Sequence, residues 1–231
     1  EKFETELILK HGYQIVYTPV LGRRELYETS GHLAHYADSM FPPIRLEGEE
    51  LILRPMSCPH HFVLYGSSPR SYRELPVRYA EIAPMYRRER SGELYGLVRA
   101  LGFHLADSHI MCRPDQLAGE LDLVLDLVQY VMRSLGFEED CSYRASFHES
   151  GSEKYAGGEP MWEQAEATLM AAAGRHGLAL EVARGEAAFY GPKIDVQMRT
   201  VHGRQETLFT IQVDFVLPER FALEYVDAGG R

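Results

Sequence analysis

Pro55-Met56-Ser57-Cys58-Pro59-His60-His61, then Tyr86-Arg87-Arg88-Glu89-Arg90-Ser91-Gly92, then Gly102-Phe103-His104-Leu105-Ala106-Asp107-Ser108-His109 mark the stretch that decides how this chain reads. Each run brings a different chemistry. The first holds a soft metal ligand, the second a fixed cation beside a carboxylate, and the third an aromatic ring followed by an acid and an imidazole. Together they suit activation of a carboxylate by a nucleoside triphosphate.

Working outward from this stretch, residues 49–55 read as a strand entering the cysteine run, and Cys58-Pro59 starts a helix with proline in its first turn. Residues 75–83 read as another strand. Residues 94–99 and 103–112 follow as two extended segments around a loop. Upstream, residues 3–11 end a helix at Gly12, and residues 12–19 form a strand closed by Pro19. A short helical piece spans 25–36, and Pro42-Pro43 forces an extended path through 39–44.

Downstream, residues 114–135 give the clearest helix. Leu117, Leu121, Val124, Leu125, Val128, Val131 and Leu135 recur three and four apart, which is a core-facing stripe. A second helix covers 161–176. Between the two, 149–159 is rich in Gly, Ser and charge and reads as a mobile loop. Residues 187–190, 193–200 and 206–216 are strands joined by Gly191-Pro192 and His202-Gly203-Arg204 turns, which implies an antiparallel sheet. No strand leads through a Gly-rich phosphate loop into a helix, so neither a P-loop nor a dinucleotide-binding fold is supported.

The 231 residues are 45% hydrophobic and carry a formal charge of -10. Such a chain is long enough for one large domain, and its acidity argues against coating nucleic acid nonspecifically. Local basic sites remain: Arg70, Arg73, Arg78, Arg87, Arg88, Arg90 and Arg99 fall within 30 residues. Arginine dominates where phosphate or carboxylate is gripped by a planar fork, although such a run also makes a solvated face. Cys58, Cys112 and Cys141 are too few for a disulfide framework and read as thiols of a reducing compartment. With no long apolar run and no signal-peptide pattern at the start, a cytoplasmic location is expected.

The strand-Pro opening, Tyr86-Arg87-Arg88-Glu89 and the antiparallel sheet resemble the catalytic domain of class II aminoacyl-tRNA synthetases, most closely the threonine-specific branch. Thr29-Ser30-Gly31-His32, Pro55 to His61, Arg70-Ser71-Tyr72-Arg73-Glu74-Leu75-Pro76 and Asp107-Ser108-His109-Ile110 carry the resemblance. Phe189-Tyr190-Gly191-Pro192-Lys193-Ile194-Asp195 and Thr210-Ile211-Gln212-Val213-Asp214-Phe215 extend it. It implies an α+β fold, a class II antiparallel sheet flanked by helices, over a single catalytic domain covering 1–231.

The resemblance also implies roles. Cys58 and His109 match two of three zinc ligands in that family. An open three-ligand site lets the amino and hydroxyl groups of threonine bind together, which valine cannot reproduce. Alone, Cys58 would read as a small buried residue and His109 as a satisfied core histidine. Arg87 matches the arginine on the ATP α-phosphate and the activated carboxylate, Glu89 the acid near the adenine amino group, and Phe103 the ring on which adenine stacks. Arg99 either supports the nucleotide or sits in a structural salt bridge. Asp107, Tyr190, Lys193 and Gln212 match the threonine pocket, with Arg87 and Lys193 as the catalytic cations. ATP with magnesium, L-threonine, tRNA(Thr) and a homodimer built around the Pro19 motif are the implied partners.

Two departures stand out. Leu105 and Ala106 replace the family's polar Gln-Asp pair, and Leu101 replaces an arginine. The third class II motif, which supplies a second zinc histidine and another ATP-binding arginine, is not found by Arg231, so the core reads as C-terminally incomplete, without anticodon-binding or editing domains. His60 and His61 lie too near Cys58 in sequence to replace the missing ligand without straining a tetrahedron. These departures leave open a synthetase-like paralogue that binds or activates an amino acid without charging tRNA.

Overall fold

The computed structural model describes residues 2–230, and its contacts divide the chain into two units. The first runs through Arg113 and takes in the tail from Arg220; the second is Pro114–Glu219. Among the described residues, no helix is long and apolar enough to cross a membrane.

In the first unit, helix α1 (Lys2–Lys10) ends before Gly12, and strand β1 (Gln14–Ile15) follows. The extended stretch expected over 12–19 pairs only at β1, because the Thr18 N–H is taken by the Glu81 carboxylate at 3.1 Å rather than by a strand. Strand β2 (Leu21–Arg23) leads to helices α2 (Arg24–Thr29) and α3 (His32–Tyr36). The single helical piece expected over 25–36 is thus split, since Gly31 takes a left-handed φ of 81° that breaks the i to i+4 ladder. Strands β3 (Ile44–Leu46) and β4 (Glu49–Leu53) complete a small antiparallel sheet ordered β2-β4-β3. Tyr27, Met40 and Ile52 pack beneath it with Leu26 and Leu33.

Helix α4 (Cys58–Gly66) carries Pro59 in its first turn and buries His60, His61, Phe62 and Tyr65. Strands β5 (Val77–Tyr86) and β6 (Gly102–Met111) then form a hairpin paired from Val77↔Met111 to Tyr86↔Gly102, with β1 parallel on the other edge of β5. Directly paired residues share a sheet face and alternate along each strand. Tyr79, Glu81, Asp107, His109, Leu105 and Phe103 therefore line one face. The second extended segment expected beyond the hairpin turn, 94–99, is not a strand. Tyr95 and Arg99 bridge each other, among the described residues no strand pairs with the segment, and Leu97 is 100% exposed.

In the second unit, helix α5 (Leu117–Leu135), strand β7 (Cys141–Phe147), helix α6 (Glu159–Arg175) and strands β8 (Leu180–Arg184), β9 (Lys193–Arg199) and β10 (Gln205–Gln212) form a sheet ordered β10-β9-β7-β8. β9 is antiparallel to β10, as the His202-Gly203-Arg204 turn implies, and also to β7, whereas β7 and β8 are parallel with α6 as the connection between them. Leu121, Leu125, Val128 and Met132 of α5 and Ala165, Leu169, Ala172 and Ala173 of α6 bury one apolar layer with Ala145, Phe147, Ile194, Val196 and Ile211. Each large aliphatic chain so buried contributes about 1.5–3 kcal/mol. The stripe shifts from the expected one at its end: Met132 takes the core position and Leu135 is exposed.

Residues 187–190 are not a strand. They make a turn closed by an Ala188↔Gly191 bridge. Gly191 is required there, because a Cβ would lie 1.7 Å from the Val213 carbonyl oxygen.

Candidate functional site

Helix α4 and the β5–β6 hairpin bring Cys58, Asp107 and His109 together: one ligating atom from each lies within 4.8 Å of the others, and all three are half-buried. The expectation that Asp107 and His109 share a face, being two residues apart on a strand, holds in β6. Ser57 stands in the capping position of α4 without capping it, and its hydroxyl instead donates to Asp107 Oδ2. The carboxylate is therefore oriented from the helix side. Neither His60 nor His61 joins the cluster.

The thiol and the imidazole nitrogen are donors that fit zinc, and the Asp107 carboxylate stands beside them. Burial chiefly lowers the His109 ring from 6.5 to about 4; Asp107 opposes that shift and His61 reinforces it. The ring is therefore neutral near pH 7, with a lone pair for a metal.

A second layer lies beneath. His61 Nδ1 is 2.8 Å from His109 Nδ1, and His61 Nε2 is 3.3 Å from Glu81 Oε2. Glu81 also accepts from Arg54 Nη2 at 2.9 Å, from the Thr18 hydroxyl at 2.7 Å and from the Thr18 N–H. Burial alone would raise this carboxyl, but hydrogen bonds from His61, Arg54 and Thr18 prevail and lower it to about 2. Arg54 is fully buried and donates further to the Pro84 carbonyl at 2.8 Å. His60 turns the other way, its Nε2 3.0 Å from the Tyr27 hydroxyl, and burial, aided by Arg54, lowers it to about 4.

At the other end of the same face, the Arg87 guanidinium lies 5.2 Å over the Phe103 ring and its Nε donates to the Pro55 carbonyl at 3.2 Å. Glu89 pairs with Arg99 at 3.3 Å, beside an open cleft of about 400 Å³ lined by Asp38, Arg88, Glu89, Arg90 and Ser91. The salt bridge weighed for Arg99 is thus present. Its guanidinium remains half-exposed. Leu105 lies between Phe103 and Asp107 on this face and is 40% exposed.

The second unit holds its own group. Lys193 and Gln212 are register partners across β9 and β10, and the Tyr190 hydroxyl donates to Gln212 Oε1 at 3.0 Å. Lys193 Nζ is 2.7 Å from Asp195 Oδ2, and Asp195 Oδ1 accepts from the Thr210 hydroxyl at 2.7 Å.

Sequence reasoning missed Ser57, Arg54, Thr18 and Glu81, and set His61 aside as a poor ligand without seeing it behind His109. One signal was available. Glu81 occupies the same parity as Val77, Tyr79, Ala83 and Met85 in β5, so it is an acid on an otherwise buried row.

The model of the tRNA synthetase class II core domain that serves the G, H, P, S and T enzymes matches residues 41–231. The chain belongs to the class II aminoacyl-tRNA synthetase core family. Threonine--tRNA ligases from Geobacillus sp. (strain WCH70) and Staphylococcus carnosus (strain TM300) are each 50% identical to it over 232 residues. That match covers 100% of this chain and 36% of each relative, so the chain spans about a third of the length of the curated relatives it matches. Among solved structures, the RNA binding domain of threonyl-tRNA synthetase from Cryptosporidium parvum Iowa II is similar with a TM-score of 0.85 and 36% identity. The match covers 97% of this chain and 55% of that one. A putative threonyl-tRNA synthetase from Aeropyrum pernix gives 0.84 and 33%, over 95% of this chain and 50% of that one. Both support the α+β class II core fold.

Proposed function

We propose that this class II core activates L-threonine with ATP and magnesium and passes the threonyl group to tRNA(Thr). The observation that carries this reading is the single face of β6, where Phe103, Leu105, Asp107 and His109 stand in a row. An Arg87-stacked ring marks one end and a thiol–carboxylate–imidazole cluster the other. The six residue steps from Phe103 to His109 span about 20 Å, the scale of an aminoacyl group joined to a nucleotide. The 50% identity to threonine--tRNA ligases supports the choice of amino acid.

In this reading Phe103 stacks on adenine, Glu89 accepts from its amino group with Arg99 holding the carboxylate, and Arg87 faces the α-phosphate. A fixed guanidinium there offsets charge that grows as the amino-acid carboxylate attacks phosphorus and pyrophosphate leaves, and needs no reorganisation to do so. Cys58 and His109 would hold zinc, and the bound ion would supply Lewis-acid chemistry toward the amino and hydroxyl groups of the substrate. Asp107, turned by Ser57, receives the ammonium. Apolar packing alone separates isosteres by only about a hundredfold, whereas donors that must be matched discriminate far more. In the second unit, Tyr190, Lys193 and Gln212 offer a hydroxyl, an ammonium and an amide, groups suited to an amino acid, with the Lys193 ammonium suited to its carboxylate or to a phosphate of the nucleotide. Homodimerisation through the Pro19 region and a cytoplasmic setting complete the reading, with 1–231 as part of one catalytic domain.

Amino-acid-dependent exchange of pyrophosphate into ATP by the zinc-loaded full-length protein tests it. Exchange with threonine and none with valine is expected. Absence of exchange with threonine from protein that retains its zinc contradicts the reading. Threonine binding without exchange or tRNA charging would instead favour the non-charging paralogue, which the apolar Leu105 on the site face favours.

A further inference from the structure

We propose that His61 is a positioning residue that holds His109 in its Nδ1–H tautomer, so that His109 offers Nε2 beside Cys58 and Asp107. The hydrogen bonds fix the proton order step by step. An ionised carboxylate only accepts, so at the 3.3 Å contact with Glu81 Oε2 the proton resides on His61 Nε2. In a neutral imidazole the other nitrogen is then bare. His61 Nδ1 therefore accepts, and the partner 2.8 Å away, His109 Nδ1, donates. A neutral His109 protonated at Nδ1 has its lone pair on Nε2.

The alternative is an imidazolium at His61, which would donate at both nitrogens and force the proton of His109 onto Nε2. Charge balance opposes it. The Glu81 carboxylate is already matched by the buried Arg54 guanidinium at 2.9 Å, and a second buried cation at His61 has no second carboxylate among its hydrogen-bond partners. The layer beneath is stiff enough to hold the order. Glu81 takes two bonds each from Thr18 and Arg54, and the His61 ring is packed edge-on against His109 and Tyr79 at 4.8 and 6.1 Å. Glu81, His61 and His109 thus form a relay from a buried ion pair to an imidazole that stands in the cluster with Cys58 and Asp107. Partners of this kind tune ligand tautomer and basicity, and their loss costs about 10–100-fold in metal affinity.

The consequence for metal binding rests on the zinc reading of the cluster; the tautomer itself does not. In ¹⁵N-histidine-labelled full-length protein, long-range ¹⁵N–¹H correlation is expected to show His109 protonated at Nδ1 and bare at Nε2. A native His109 protonated at Nε2 overturns the proposal without any substitution being needed. His61→Leu, which cannot accept, is expected to move the proton of His109 toward Nε2 and to weaken cobalt(II) binding by about 10–100-fold. His61→Asn, whose amide oxygen replaces Nδ1 as acceptor, is expected to restore both readouts to within a few-fold. Cobalt bound equally by native and His61→Leu protein with an unchanged tautomer defeats the relay and leaves the zinc reading standing. The Nδ1–H tautomer in protein that binds neither cobalt nor zinc does the reverse.

Discussion

Glu81 and Asp107 are register partners across the β5–β6 hairpin, and the two carboxylates are held in opposite ways. Glu81 is buried against the Arg54 guanidinium at 2.9 Å, while Asp107 is half-buried and turned by the Ser57 hydroxyl. One acid is locked as foundation and the other is presented.

The foundation predicts a large loss on breaking one half of it. Arg54→Met leaves the Glu81 charge buried with only Thr18 and His61, and uncompensated buried charges cost about 3–5 kcal/mol. Urea denaturation is expected to show a loss of that order. A change below about 1 kcal/mol, the range of a surface pair, would show that the pair is not the support described.

Stability is expected to fall in two acidic windows. His32, His60 and His109 are lowered from 6.5 to about 3, 4 and 4, in each case chiefly by burial. The unfolded chain therefore binds more protons than the fold below pH 6.5, and stability present above that pH is lost as pH falls toward 4 and then 3. Glu81, lowered from 4.5 to about 2, adds a further loss from pH 4.5 downward. Thermal melts across pH 3–8 check this, and a midpoint that stays level from pH 7 to 4 would contradict it.

Phe103 and Arg87 separate by kinetic signature. Phe103→Leu removes the stacking face and is expected to raise the KM for ATP more than it lowers kcat. With Arg87 in the role proposed for it, Arg87→Ala is expected to lower kcat by about 10²–10³. Pyrophosphate exchange under saturating ATP distinguishes them; equal effects on KM alone would remove Arg87 from the reacting phosphate.

Gly191→Ala is expected to destabilise the second unit by about 1–3 kcal/mol or more, since its Cβ would meet the Val213 carbonyl oxygen at 1.7 Å. A wild-type melting temperature for that variant would mean that this approach is looser than described.

Where local pattern and packing agree, the sequence was legible. The α5 stripe, the proline-started α4 and the long strands at 75–83 and 103–112 emerged because periodicity and burial coincide there. Strands β7 and β8 escaped because Cys141-Ser-Tyr-Arg-Ala-Ser-Phe147 and Leu180-Glu-Val-Ala-Arg184 owe their state to sheet neighbours rather than to β-branched content. The 94–99 segment misled for the opposite reason, being apolar yet without a partner strand. At the site, the family resemblance, rather than residue type and spacing alone, pointed to Cys58, Arg87, Asp107 and His109. Of the Arg54–Glu81–His61 layer only Glu81, an acid on a buried row, left a signal, because residues 20 and 27 positions apart meet through the packing of α4 and the end of β4 against the hairpin.

The central claim is that Cys58 and His109 hold the metal that reads the substrate's hydroxyl. Elemental analysis paired with calorimetric titration of threonine, before and after Cys58→Ser, tests it most directly. The account predicts zinc in the native protein, lost together with threonine binding in the variant. Zinc content and threonine affinity both unchanged by that substitution would contradict it.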